Sequence, residues 1–102
     1  MKYFIIDKAM SSTKGEYMVW FKAEEVARLH LIGSLNVVHS RIFGLSYPQF
    51  LRYVRDTYNA RIAGKGHKYP NFYFPTEQDA KNYASVLDKR YSEIRRRLIN
   101  LT

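Results

Sequence analysis

Gly64-Lys65-Gly66-His67-Lys68 is the densest group of chemistry-bearing side chains in the sequence, and it holds two of the five glycines. Glycine lets backbone approach a ligand closely, and turn amides add their partial charges to those of the two lysines. The chemistry supported by that spacing is capture of an anion, phosphate above all. His67, between Lys65 and Lys68, is also the one arrangement suited to phosphoester chemistry. A P-loop is excluded, because Gly64-Lys65-Gly66 lacks both the spacing and the following Ser or Thr.

The other groups that could catalyse do not converge. His30 and His39 are nine residues apart on one predicted helix, so they face opposite ways and share no metal. His30 falls on an apolar face and reads as a core residue. Glu24 and Glu25 diverge and suit the first turn of a helix. No nucleophile has a base and an orienting acid at a recognisable spacing. The chain has no cysteine, which excludes disulfides, thiolate catalysis and cysteine-built zinc sites. The expectation is a binding protein, not an enzyme, with no cofactor and no metal.

Charge points to the partner. Seventeen basic residues against nine acidic ones leave a net charge of +8, a statement about partners rather than about fold. Over residues 46–74, Arg52, Arg55, Arg61, Lys65 and Lys68 face Asp56 alone, which is net +4 and half of the total. The same stretch holds Tyr47, Phe50, Tyr53, Tyr58, Tyr69, Phe72, Tyr73 and Phe74, half of the sixteen aromatics. Cations interleaved with rings are what a phosphate backbone with stacked bases selects. Arg52, Arg55, Arg61, Lys65, His67, Lys68 and Tyr69 are therefore the candidate nucleic-acid contacts. Against this, Tyr47, Phe50 and Tyr58 lie on a predicted core face, Arg52 and Asp56 are spaced to pair, and hairpin glycines need no ligand to explain them.

The elements that position these residues read as one α+β domain over 1–102, with no repeat or linker. Lys2 to Asp7 predicts a strand. Glu16 to Phe21 predicts a second, although Thr13 and Glu16 also fit a capping box that would start a long helix near residue 14. Three helices are expected, over about 23–43, 47–58 and 76–99. In the first, Val26, Ala27, His30, Leu31, Ser34, Val37, Val38 and Ile42 share one face, with Leu29, Ile32 and Phe43 opposite beside Glu25, Asn36 and His39. Gly33 would admit a close neighbour, and Gly44 suits the position past the helix end. Ser46 and Pro48 open the second helix, whose stripe is Tyr47, Phe50, Leu51, Val54 and Tyr58, and Asn59 closes it. A β-hairpin follows at 60–74, with Pro70 confined to a strand start or edge. Thr76 caps the last helix, where Ala84, Leu87, Tyr91, Ile94, Leu98 and Leu101 form a seam at heptad spacing. The seam is read as the core face of a monomer.

The order of elements over 23–74 resembles the winged helix-turn-helix class of DNA-binding domains. The resemblance implies that the helix from Tyr47 to Tyr58 enters a groove and that residues 60–74 are the wing. It departs from that pattern in lacking a third helix before the wing. A rival class is a protein-binding module, an accessory or inhibitor protein of the phage or mobile-element type, resting on the two-sided first helix and on the aromatics and arginines that interface cores favour. MKYFIIDKAM is too short in its apolar run for a secretion signal and no stretch is long enough for a membrane span, so a soluble cytoplasmic protein with no membrane partner is expected.

Overall fold

Residues 1–10, 14–29, 35–64 and 71–100 are described by the structure, a computed structural model. Strand β1 (Phe4–Lys8) pairs antiparallel with β2 (Tyr17–Phe21), setting Phe4 opposite Phe21 and Lys8 opposite Tyr17. Alternation decides which side turns inward: Phe4 and Phe21 are buried, while the next pair, Ile5 and Trp20, stays exposed. Residues 17–21 are thus a strand and not part of a long helix, because a partner strand takes up their backbone hydrogen bonds. Thr13, of the alternative capping box, lies outside the described residues.

The single helix expected over 23–43 is corrected to two, α1 (Ala23–Leu29) and α2 (Leu35–Phe43), making four helices rather than three among the described residues. The reason is phase. Leu29 and Val38, nine residues apart, would point to opposite sides of one continuous helix, yet both are fully buried in the same core. Two helices with independent phases satisfy both. Val26 and Ala27, expected inside, are exposed, and Glu25 and Leu29 are buried in their place. In α2, Val38 and Ile42 face the core as expected, but His39 and Phe43 are buried as well. His30 and Gly33 lie outside the described residues.

Gly44 takes φ 67, the left-handed conformation that ends α2. Ser46 then caps α3 (Tyr47–Tyr58) in a reciprocal capping box. The Gln49 amide donates to the Ser46 hydroxyl at 3.4 Å, and the Ser46 amide donates to Gln49 Oε1 at 3.3 Å. Asn59 closes the helix at φ 58. Phe50, Val54 and Tyr58 are buried, whereas Leu51 on the edge of the same stripe is half-buried.

In the second hairpin β3 (Arg61–Ala63) pairs antiparallel with β4 (Asn71–Tyr73), Arg61 opposite Tyr73. Phe74 leaves that ladder and exchanges hydrogen bonds of 2.9 and 2.8 Å with Tyr17, joining the two small sheets at one corner. The tip, residues 65–70, lies outside the described residues.

Helix α4 (Glu77–Asn100) is the spine. Thr76 caps it, accepting the Asp79 amide at 3.0 Å. Ala80, Tyr83, Ala84, Leu87, Tyr91 and Leu98 are buried along one side, so the seam packs within its own chain. Tyr83 meets Phe74, Tyr58 and Phe43 at centroid distances of 5.1, 5.4 and 5.9 Å, and Tyr91 meets Tyr3, Phe21 and Phe4 at 5.1, 5.3 and 5.8 Å. The radius of gyration, 13.0 Å, is that of one domain of this length, about 13 Å.

Candidate nucleic-acid interface

The capping box and the buried Phe50–Val54–Tyr58 stripe fix the rotation of α3, and that rotation turns Arg52 and Arg55 to solvent. Arg55 lies beside Asp56, with Nε 2.8 Å and Nη2 3.4 Å from its two carboxylate oxygens. The pairing that spacing suggested, Arg52 with Asp56, is not made; the adjacent guanidinium reaches the carboxylate in both planes at once. The Arg55 hydrogen bond holds the Asp56 carboxyl below its usual range. Both side chains of this pair are more than half exposed, so a stronger anion can displace Asp56.

Arg61 has a different role. Its Nε and Nη2 lie 3.0 and 2.7 Å from the two oxygens of the buried Glu16 carboxylate, and its guanidinium stacks 4.5 Å from the Tyr73 ring centroid. Arg61 thus clamps β3 to the entry of β2, forty-five positions away in the chain, while its side chain stays 44% exposed. Lys65, His67, Lys68 and Tyr69 lie outside the described residues; of the candidate contacts that are described, Arg52, Arg55 and Arg61 are all exposed.

The rings of residues 46–74 turn mostly inward, as the predicted core face implied for Phe50 and Tyr58, while Tyr69 lies outside the described residues. Phe50, Tyr58, Phe72 and Phe74 are buried, and Tyr47, Tyr53 and Tyr73 are half-buried. Tyr53 packs on Phe43 at 5.2 Å and shares a 3.0 Å hydrogen bond with Tyr58. Rings clustered in sequence with cations were core rings, because a small core draws on every large side chain it has.

Six of the nine carboxylates take part in ion pairs or hydrogen bonds among the described residues, and of these Glu16 and Glu25 are buried. Glu25, buried at the start of α1, accepts from Tyr91 Oη at 2.9 Å and pairs with both guanidinium nitrogens of Arg95. Burial pushes its carboxyl upward, but the hydrogen bonds from Arg95 and Tyr91 outweigh that and hold it below its ordinary value. Glu16 and Asp56 are paired as above, Glu77 meets Lys81, Asp79 accepts the Thr76 hydroxyl at 2.9 Å, and Asp88 accepts the Tyr3 amide at 2.8 Å. Arg41, Arg52, Arg90, Arg96 and Arg97 form no ion pair among the described residues. Arg41 and Arg90 escaped the sequence reading; for Arg90 the signal was its helical spacing to Ile94.

His39 is a buried residue of the core. It is enclosed by Phe4, Phe21 and Tyr83, its Nδ1 lies 2.9 Å from Tyr83 Oη, and burial pushes its pKa down to about 3. Among the described residues, no three His, Asp or Glu side chains gather as a metal site, and no helix is long and apolar enough to cross a membrane. Compared with protein-family models, curated proteins and solved structures, the chain matches none.

Proposed function

We propose that this is a non-enzymatic binding protein that contacts nucleic acid through its phosphates. The observation that supports the reading is the asymmetry of charge use: six of the nine carboxylates already have partners within the chain, while Arg41, Arg52, Arg90, Arg96 and Arg97 are exposed with no ion pair among the described residues. A surplus of that kind attracts a polyanion regardless of base sequence. The division of 23–43 into two helices adds to it. Three helices, a turn at Gly44-Leu45-Ser46 between α2 and α3, and a hairpin after α3 follow the winged helix-turn-helix order that lacked its third helix. On this reading Arg52 and Arg55 on α3, with Lys65, His67 and Lys68 from the hairpin tip, carry the contact, and Arg61 supports it from behind. The protein acts as a monomer in the cytoplasm.

The test is a salt titration of binding to duplex DNA, single-stranded DNA and RNA. For Arg52→Gln and for the Lys65→Gln/Lys68→Gln double variant, the slope of log affinity against log salt should fall by roughly one unit per lost phosphate contact. Arg96→Gln, on the outer side of α4, serves as the control. Unchanged slopes, or a parent that binds none of the three, would overturn the reading. Arg95 cannot be a neutral control, because it holds Glu25.

A second reading, a protein-binding accessory module, is favoured by the cross-strand pair Ile5 and Trp20, both over 40% exposed, with Met10 beside it at 94%. Retention of a partner after nuclease treatment and in high salt would select it.

A further inference from the structure

We propose that the cleft between α2 and α4 docks an acidic peptide segment of a partner protein, one with an apolar side chain among its carboxylates. The inference goes beyond the nucleic-acid reading and uses none of its residues. Among the described residues the cleft, about 240 Å³ in volume, is lined by Arg41 from α2 and by Ile94, Arg97 and Leu98 from α4. Two exposed guanidinium-bearing side chains stand over an aliphatic floor, half-buried at Ile94 and buried at Leu98.

Neither arginine has a carboxylate partner among the described residues. Glu93 stands one turn before Arg97, well placed to neutralise it, yet no ion pair forms between them. One turn before Ile94, on the same stripe of α4, the Arg90 guanidinium lies 5.3 Å from the Phe43 ring centroid and extends the positive rim. Guanidinium groups bind carboxylates in a planar, two-pronged way, and here they would do so beside apolar surface, where the bond is less screened.

Size and floor together select the occupant. The volume is below the roughly 300–1,000 Å³ of pockets that enclose drug-sized ligands, so the cleft takes one side chain rather than a nucleoside. A nucleic-acid backbone has no use for an aliphatic floor, whereas an apolar anchor ringed by arginine is how protein interfaces concentrate their energy. The carboxylates on either side of that anchor would meet Arg41 and Arg97.

The test is fluorescence anisotropy on the full chain with a labelled acidic hexapeptide, DELFDE, beside DESSDE, KKLFKK and single-stranded oligo-dT. DELFDE should bind, DESSDE more weakly and KKLFKK not at all. Arg41→Gln and Arg97→Gln should each weaken DELFDE by about tenfold, the change expected for one lost charged contact, and should leave oligo-dT binding unchanged. Both positions are exposed, so a thermal melt like that of the parent shows that the fold is intact. Ile94→Ser should weaken DELFDE relative to DESSDE. Failure of DELFDE to bind, or equal binding of DESSDE, overturns the proposal. So does a loss of oligo-dT affinity in the Arg41→Gln and Arg97→Gln variants, since that would assign the cleft to the nucleic-acid surface. Failure of oligo-dT alone to bind leaves the peptide result standing and counts only against the nucleic-acid reading.

Discussion

His39 and Glu25 meet burial in opposite ways. His39 gains one hydrogen bond and no counter-charge, so it stays neutral, with a pKa of about 3 against 6.5 for a free side chain. The unfolded chain therefore binds one more proton than the native one between those values. Stability is at its full value above about pH 6.5 and falls as pH drops, by up to about 1.4 kcal/mol per unit from this group. Glu25 has the opposite sense: its lowered pKa contributes stability above its ordinary value of 4.5 and loses it on acidification below. The pH dependence of urea denaturation between about pH 5.5 and 6.5 lies clear of most of the Glu25 contribution, and the difference between parent and variant reads His39. In that window His39→Leu should flatten the pH dependence relative to the parent, and a parallel slope in the variant would refute the assignment. Arg95→Met should cost roughly 2 to 3 kcal/mol at neutral pH, since it leaves a buried carboxylate short of its main partner. A loss below about 0.5 kcal/mol would mean that solvent already screens the pair.

At the scale of elements, the ends of helices carry a clean prediction. A Cβ on Gly44 would meet nothing within 4 Å, so Gly44→Ala is a test of backbone alone. Its φ of 67 should make that change cost about 1 to 2 kcal/mol, while Gly44→Asn costs less. Ser46→Ala removes one half of the capping box and should cost about 1 kcal/mol. Both are read from thermal or denaturant melts, and equal losses for Gly44→Ala and Gly44→Asn would show that conformation is not the cause. Within α3, Val54→Ala should cost more per methyl group removed than Leu51→Ala, because Val54 is fully buried and Leu51 is not.

Over the whole molecule, α4 is the element that every other layer needs. It takes Phe4 and Phe21 from the first sheet, Val38 and Phe43 from α2, Phe50 from α3 and Phe74 from the corner between the sheets into one cluster. Leu87→Ala at its centre should cost roughly 3 to 5 kcal/mol, a large share of the stability of a domain this size. Light scattering over a wide dilution range should give a single monomeric mass, because the seam is occupied from within. A dimer that dissociates on Leu98→Asp without unfolding would contradict this. What could be read along the chain is what acts within a few residues: the caps at Ser46 and Thr76, the stops at Gly44 and Asn59, the β-branched and aromatic run of β1, and the net charge. These depend on local backbone geometry or on composition, which need no partner to be specified. What could not be read is what depends on residues brought together from far apart. Glu16 with Arg61, Glu25 with Arg95 and His39 with Tyr83 are separated by 45, 70 and 44 positions, and no periodicity announces such pairs. The same holds for the break between α1 and α2. An apolar run on all sides of one helix and two one-sided helices have the same sequence, and only the core that buries Leu29 and Val38 together distinguishes them. Folding likewise divided the cations of residues 46–74, turning Arg52 to solvent and spending Arg61 on Glu16, because a buried carboxylate must be paired wherever its partner comes from.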